Sequence, residues 1–194
     1  MSIRLITVSG PRGAGKETIV QTLLKLIPGL YRIVPHTTRN PRPSEQDGRE
    51  YHFVSNLGFQ ELIDQGAFVW YGDIGPTQRS GTIRSEFRMS SIGSVIDVLP
   101  SGARAMSERV RAEGGHAFLI GVFASSEERR ARIRTRQSGV SEKEIERLIC
   151  TDPVSPRPAD YLDFDFLLRN EGISQEEAGR RAVRAVRIFL NRTA

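Results

Sequence analysis

Apolar residues recur along the chain in two rhythms. Ile3–Ser9 (IRLITVS) is a short β-branched run that stops at Gly10, and after a glycine-rich turn Thr18–Ile27 sets Ile19, Leu23, Leu24 and Ile27 at helical spacing. The reading is strand, loop, helix. Ser94–Leu99 and Ala117–Phe123 predict two further strands, the second buried on both faces because its apolar residues do not alternate. Ser101–Glu113 between them predicts a helix. A later apolar run, Phe164–Leu168, leads through an Asn170–Gly172 turn to Ser174, a candidate N-cap with Glu177 three residues on, and then to a helix that buries Ala178, Ala182, Val186 and Phe189. Strands alternating with helices predict an α/β domain with a mainly parallel sheet flanked by helices. Two segments interrupt the alternation. Residues 34–92 hold Pro, Arg, Gly and aromatics in short pieces, and 126–149 is almost entirely charged helix and turn, so each is expected to carry a binding or lid function on a rigid core of 1–33, 93–125 and 150–194.

Length and composition narrow the field. A chain of 194 residues fits one domain, and its longest apolar stretch, Ala117–Ala124, is far shorter than the roughly 20 residues that cross a bilayer. Residues 1–15 have no signal-peptide pattern, so the expected location is cytoplasmic, with no membrane partner. The single cysteine, Cys150, excludes an internal disulfide, and His36, His52 and His116 share no metal-ligand spacing. Metal is therefore expected only in company with a ligand. Of the 28 basic residues behind the net charge of +5, all but Lys16, Lys25 and Lys143 are arginine, whose planar fork suits phosphate oxygens. Interleaved aromatics and a recognisable nucleic-acid module are both missing, so the charge points to a phosphorylated small molecule and not to nucleic acid.

The position of one motif sharpens this. Gly10, Pro11, Arg12, Gly13, Ala14, Gly15 and Lys16 spell GxxxxGK directly after a predicted strand and before a predicted helix. Glycines let successive N–H groups surround a phosphate, the helix start adds partial positive charge, and Lys16 reaches the outer phosphates. The fold expected is that of a P-loop NTPase, with ATP and Mg²⁺ as ligands. One residue departs from the motif: Glu17 stands where a Ser or Thr normally follows the lysine, with Thr18 next. A carboxylate about 6 Å from a phosphate charge costs on the order of 3 kcal/mol at an effective dielectric of 20, so Glu17 either assists the metal or turns away. Thr18 is the candidate for the missing hydroxyl.

Beyond the loop, the chain resembles the guanylate kinase family from end to end. HTTRNPRPSEQDGREYHFVS, residues 36–55, is similar to the family's acceptor-binding segment, with its TTR, PR, G and Y-x-F-V landmarks in order. By this resemblance 34–92 is the acceptor-binding insertion, and Arg39, Arg42 and Tyr51 hold the acceptor's phosphate. Two arginines three residues apart suit one dianion, and a phenol adds a donor without a full charge. Ile96-Asp97-Val98-Leu99 followed by Ser101-Gly102-Ala103 resembles LDID followed by QGA, which places Asp97 at the first acid, to hold Mg²⁺ directly or through water or to orient the acceptor. A strand-end Asp that caps the next helix is the competing account. The charged segment resembles the family's lid, with Arg132, Arg136 and Arg147 at the spacing of arginines that neutralise transition-state charge, while Arg129, Arg130 and Arg134 read as a solvated face. Asn170 resembles the Asn near the donor-base pocket.

The likeness fails where the family reads guanine. Leu99 replaces the second acid of LDID, Trp70 falls on the glutamate of F-x-E-W when Phe68 takes the place of the Phe, Pro35 replaces a serine, and Ser80 replaces a tyrosine before Gly-Thr. Asp73 is the carboxylate that recovers a guanine contact if the loop is shifted. Acceptor candidates are therefore GMP or dGMP, another nucleoside monophosphate, or a ribose bisphosphate. The ribose 1,5-bisphosphate phosphokinases resemble this family and similarly put an acid and a hydroxyl after the loop lysine, as Glu17-Thr18 does. The resemblance implies phosphoryl transfer from Mg·ATP to a phosphate acceptor by a monomer or homodimer. A non-catalytic guanylate-kinase-like module is the alternative from another class, and Lys16 with the three lid arginines argues against it.

Overall fold

The computed structural model describes residues 2–41, 45–75, 77–88, 92–136, 139–152, 154 and 157–193. In chain order the elements are β1 (Arg4–Ser9), α1 (Lys16–Leu26), β2 (Leu30–Arg32), β3 (His36–Thr37), β4 (His52–Phe53), α2 (Asn56–Asp64), β5 (Phe68–Gly75), β6 (Gln78–Ile83), a 3₁₀ turn at Arg84–Arg88, β7 (Gly93–Asp97), α3 (Pro100–Ala112), β8 (His116–Phe123), α4 (Ser126–Arg136), α5 (Glu142–Cys150), a second 3₁₀ turn at Pro158–Tyr161, β9 (Phe166–Arg169) and α6 (Gln175–Arg192). Among the described residues no helix is long and apolar enough to cross a membrane.

The main sheet runs β2-β7-β1-β8-β9, and every pairing in it is parallel. Both faces are covered, and the alternation of side chains along each strand shows how. Ile6 and Val8 of β1, Val95 of β7, and Ile120 and Val122 of β8 pack with Ile19, Val20 and Leu23 of α1 and Ala178, Ala182 and Val186 of α6. Their neighbours Leu5, Ile96, Leu119 and Phe123 point the other way, to Ala103, Met106 and Val110 of α3 and to Tyr161 and Phe164. Phe118 of β8 shares the face of Ile120 and Val122 and stacks on Phe189 of α6 with ring centroids 5.2 Å apart. The Ser174 hydroxyl accepts from Glu177 N at 3.1 Å, the cap the sequence predicts. Strand boundaries shift slightly: α1 starts at Lys16, two residues before the periodic run, and the last strand is Phe166–Arg169 instead of Phe164–Leu168.

A second sheet, β4-β3-β6-β5, is built from residues between 36 and 83. β3 and β4 are two residues each, and β5 and β6 form the hairpin that carries them. Its core is aromatic: Phe59 of α2 is fully buried and stacks on Phe68 at 4.6 Å, and the Arg79 guanidinium lies 4.9 Å from the Phe59 ring centre. Register shifts between Phe68 and Trp70. This bulge lets Phe68 and Tyr71 share one face, 5.5 Å apart, while Trp70 turns to the other and packs over the start of α3. A Cβ on Gly102 of α3 would come 2.6 Å from the Val98 side chain and 3.0 Å from the Trp70 ring, so the glycine permits this approach. The second sheet thereby meets the main sheet where β7 ends.

Candidate phosphate-transfer site

The loop between β1 and α1 curves through Gly13 (φ 79°) and Gly15 (φ 96°), both in the left-handed region. The first helical bond runs from Ile19 N to Gly15 O, at 3.2 Å, so the N–H groups of Lys16, Glu17 and Thr18 precede the ladder and are the ones a helix start offers to an anion. The Lys16 ammonium bonds Pro11 O across the loop at 3.3 Å.

The outer side of this curve is braced by residues distant in sequence. Arg129 Nε donates to Arg12 O at 2.6 Å and Arg129 Nη2 to Asp152 Oδ2 at 2.8 Å, while Arg12 N–H donates to the same carboxylate oxygen at 2.5 Å. Backbone donor and acceptor of one loop residue, Arg12, are thus both satisfied by one ion pair. Arg129 is 1% exposed, which corrects the solvated-face reading of this residue; Arg134 lies exposed and Arg130 half-buried, paired with Glu142 and Glu146. Helical charge alone does not distinguish the three, because burial depends on Asp152 23 residues on. Arg132 Nη1 donates to Ala14 O at 3.1 Å and Nη2 to Asn170 O at 2.6 Å. Asn170 is buried and donates through Nδ2 to Ala14 O at 2.8 Å, so in this structure it meets the loop backbone. A Cβ on Gly15 would come 2.5 Å from that amide nitrogen.

Of the remaining predicted residues, Glu17, Asp97 and Arg136 share a charge cluster with Lys16 and Arg32. Glu17 is bound by Arg32 and Gln21, and these bonds with the Arg32 and Arg136 charges hold its carboxyl below the usual range despite partial burial, which alone would raise it. Thr18 stands in the first turn of α1. Asp97 ends β7. Burial pushes its pKa up, Lys16 and Arg32 pull it down, and Glu17 pushes it up again, so it belongs to the same charge cluster. It does not cap α3, whose N-cap is Leu99 with no side-chain bond. Arg39 is held bidentately by Glu45 at 2.9 Å for both bonds, and its guanidinium lies 5.2 Å from the Tyr51 ring centre. Arg42 lies outside the described residues. Asp73 is exposed on β5 opposite Arg79. Arg136 is exposed at the end of α4, and Arg147 on α5 is paired with Glu144 at 2.6 Å. Ser80 is buried, with its hydroxyl donating to His36 O at 3.0 Å.

A family model, guanylate kinase, matches residues 2–180. The chain belongs to the guanylate kinase family. It is 31% identical over 173 residues to a guanylate kinase of Geobacter metallireducens, covering 88% of this chain and 82% of that one, and 32% identical over 182 residues to that of Alkalilimnicola ehrlichii, covering 92% and 86%. To the Mycobacterium leprae guanylate kinase it is 42% identical over 109 residues, a match that spans about half the length of each chain (54% and 52%). The solved guanylate kinase of Anaplasma phagocytophilum shares the fold, with a TM-score of 0.68 at 22% identity over 97% of this chain and 86% of that one.

Sequence reasoning misses three groups here: Arg129 with Asp152, Arg32, and the His36–His52 pair. The last joins the two ends of the 36–55 segment, with ring centroids 4.7 Å apart and His52 Nε2 3.7 Å from Glu86. Burial first, then the His52 charge, lowers the His36 pKa to about 4, against the opposing pull of Glu86 and Asp47.

Two predictions follow from these contacts. Arg129→Ala leaves the Asp152 carboxylate buried beside the loop without its guanidinium partner and should cost about 3–5 kcal/mol of stability, read by urea or thermal melts, whereas Arg129→Met with Asp152→Leu removes the buried charge but still strips the Arg12 N–H and C=O of their partners, and should cost less than the single change while remaining destabilising. For His36, the unfolded chain takes up a proton that the folded form refuses, so its contribution is complete above about pH 6.5 and is lost as pH falls toward 4. Allowing for solvent screening this is about 1–2 kcal/mol, and His36→Gln should flatten that part of the stability profile.

Proposed function

We propose that the protein transfers the γ-phosphoryl group of Mg·ATP to the phosphate of a nucleoside monophosphate, forming a diphosphate, with GMP or dGMP the first acceptors to test. The observation that carries the reading is the braced GPRGAGK loop at the β1–α1 junction of a chain matched by the guanylate kinase family over residues 2–180.

The loop amides and Lys16 align and neutralise the donor's phosphates, so no covalent protein intermediate is required. The oxygen donors nearby suit Mg²⁺: Thr18 and Asp97 would hold it, directly or through water, and the ion would enter with the nucleotide, supplying charge neutralisation on the transferred group. Arg39, with Arg42 and Tyr51, is the acceptor clamp in this reading. Since Glu45 now occupies the Arg39 fork, an acceptor dianion has to displace that carboxylate, which trades one ion pair for another of higher charge. Arg132, Arg136 and Arg147 belong to the helices that close over the reacting phosphates and exclude water. Arg147 must exchange its contact with Glu144 to take part.

The base side supports a second acceptor class. Trp70 packs its ring against Gly102 and Val98, and Leu99 joins the same cluster, so the two places that resemble guanine-reading carboxylates are apolar. A site without matched polar groups discriminates far less between ring systems, which favours another nucleoside monophosphate or ribose 1,5-bisphosphate alongside GMP.

An ADP-release screen with ATP, Mg²⁺, the common nucleoside monophosphates and ribose 1,5-bisphosphate tests the reading and ranks these acceptors. Turnover is expected with at least one of them, and Lys16→Ala should lower it by at least about a thousandfold with an unchanged melting profile; no turnover with any acceptor would favour the binding-module alternative. Trp70→Glu combined with Leu99→Asp should raise the kcat/KM ratio of GMP over other monophosphates by about tenfold or more, and no gain would redirect attention to Asp73.

A further inference from the structure

Glu17 directly follows Lys16, in the turn whose N–H groups precede the helical ladder. Its charge there opposes a polyphosphate. The structure deals with that charge locally. Arg32 Nη1 donates to Glu17 Oε1 at 2.7 Å and Arg32 Nη2 to Oε2 at 2.9 Å, a parallel two-bond fork, and Gln21 Nε2 adds a third bond at 2.7 Å. Arg32 is the last residue of β2, aligned with Val95 of β7, so the main sheet fixes where its side chain starts. The guanidinium lies within electrostatic reach of Asp97 and Glu50 as well, and Glu17 within reach of Arg136. One arginine therefore stands among carboxylates from the loop helix, the central sheet and the acceptor segment, beside the loop lysine.

We propose that Arg32 is a positioning residue of the donor site, which holds and neutralises the Glu17 carboxylate so that the Lys16 charge stays available to a nucleotide's phosphates. The inference rests on the reading of the loop as the donor site. Without Arg32, Glu17 keeps only a neutral amide donor from its own helix. Its charge then either turns to the adjacent ammonium of Lys16 or faces the incoming phosphates, and both weaken donor binding. Gln at position 17 removes the need for the guanidinium. If Arg32 served only to fasten α1 to β2, its loss would lower stability and leave nucleotide affinity unchanged.

Calorimetric titration of Mg·ATP at low ionic strength, with thermal melts and steady-state rates on the same proteins, separates these roles. Arg32→Ala should bind Mg·ATP roughly ten- to hundredfold more weakly, the range between a screened and an unscreened charge about 6 Å from a phosphate. The loss should shrink in high salt, and kcat at saturating ATP should fall much less than affinity. Adding Glu17→Gln to Arg32→Ala should return affinity to within about fivefold of the parent. Arg32→Lys should recover part of it, since an ammonium keeps the charge without the fork. Should Arg32→Ala not fold, Arg32→Met preserves the stem's packing and carries the same comparison. Unchanged affinity in the Arg32 variant overturns the proposal, and so does a further loss on adding Glu17→Gln, because that would mean the carboxylate itself serves the nucleotide or its metal. Failure of the parent protein to bind Mg·ATP would instead remove the donor-site reading, and this inference with it.

Discussion

A loop that curls around an anion points half of its peptide groups outward, and those groups need partners if the curl is to exist before the anion arrives. In this protein the partners come from the far half of the chain. The Arg129–Asp152 pair takes both backbone polar groups of Arg12, and Arg132 with Asn170 takes the Ala14 carbonyl. The pair is a buried ion pair whose remaining hydrogen-bonding capacity is used on backbone, the condition under which such pairs are tolerated. Glycines at 13 and 15 supply the backbone angles, and they also leave room for the bracing side chains to come close. Loop shape and helix placement are one constraint: neither α4 nor the end of α5 can shift far without disturbing the Arg12 backbone that the other also holds.

The same economy governs charge. Two of the arginines that resemble phosphate ligands, Arg39 and Arg147, are not left as bare cations. Arg39 rests on Glu45, Arg147 on Glu144, and Glu17 on Arg32. An anion that takes the Arg39 or Arg147 fork has to offer more negative charge or better geometry than the carboxylate it replaces, whereas the Arg32 pair masks a carboxylate and need not open. A dianionic phosphate meets that condition, and a lone carboxylate does not.

Legibility in the sequence follows the range of the interactions concerned. β1, the glycine loop and α1 are readable because period, turn chemistry and motif coincide within about 25 residues. The parallel sheet and the cap at Ser174 are readable for the same local reason. β3 and β4, at two residues each, carry too little periodicity to be seen. Arg129 resembles its neighbours Arg130 and Arg134 in every local respect, and only the distant Asp152 makes it a core residue. Arg32 hides likewise, as one arginine among 25, until folding sets it against Glu17. Family landmarks locate Arg39, Tyr51 and Asp97, but the Glu45 contact of Arg39 and the burial of Asp97 are products of the tertiary arrangement.

The irregularity between Phe68 and Trp70 has a wider consequence. Because one extra residue in β5 sends Phe68 and Tyr71 to one side and the indole to the other, the wall next to α3 is chosen by backbone phasing as much as by residue type. Deleting the extra position would leave the same two sides by ordinary alternation, whereas a deletion elsewhere in the strand would exchange them. A one-residue insertion or deletion beside the bulge therefore reorients the side chains of this hairpin as effectively as replacing them.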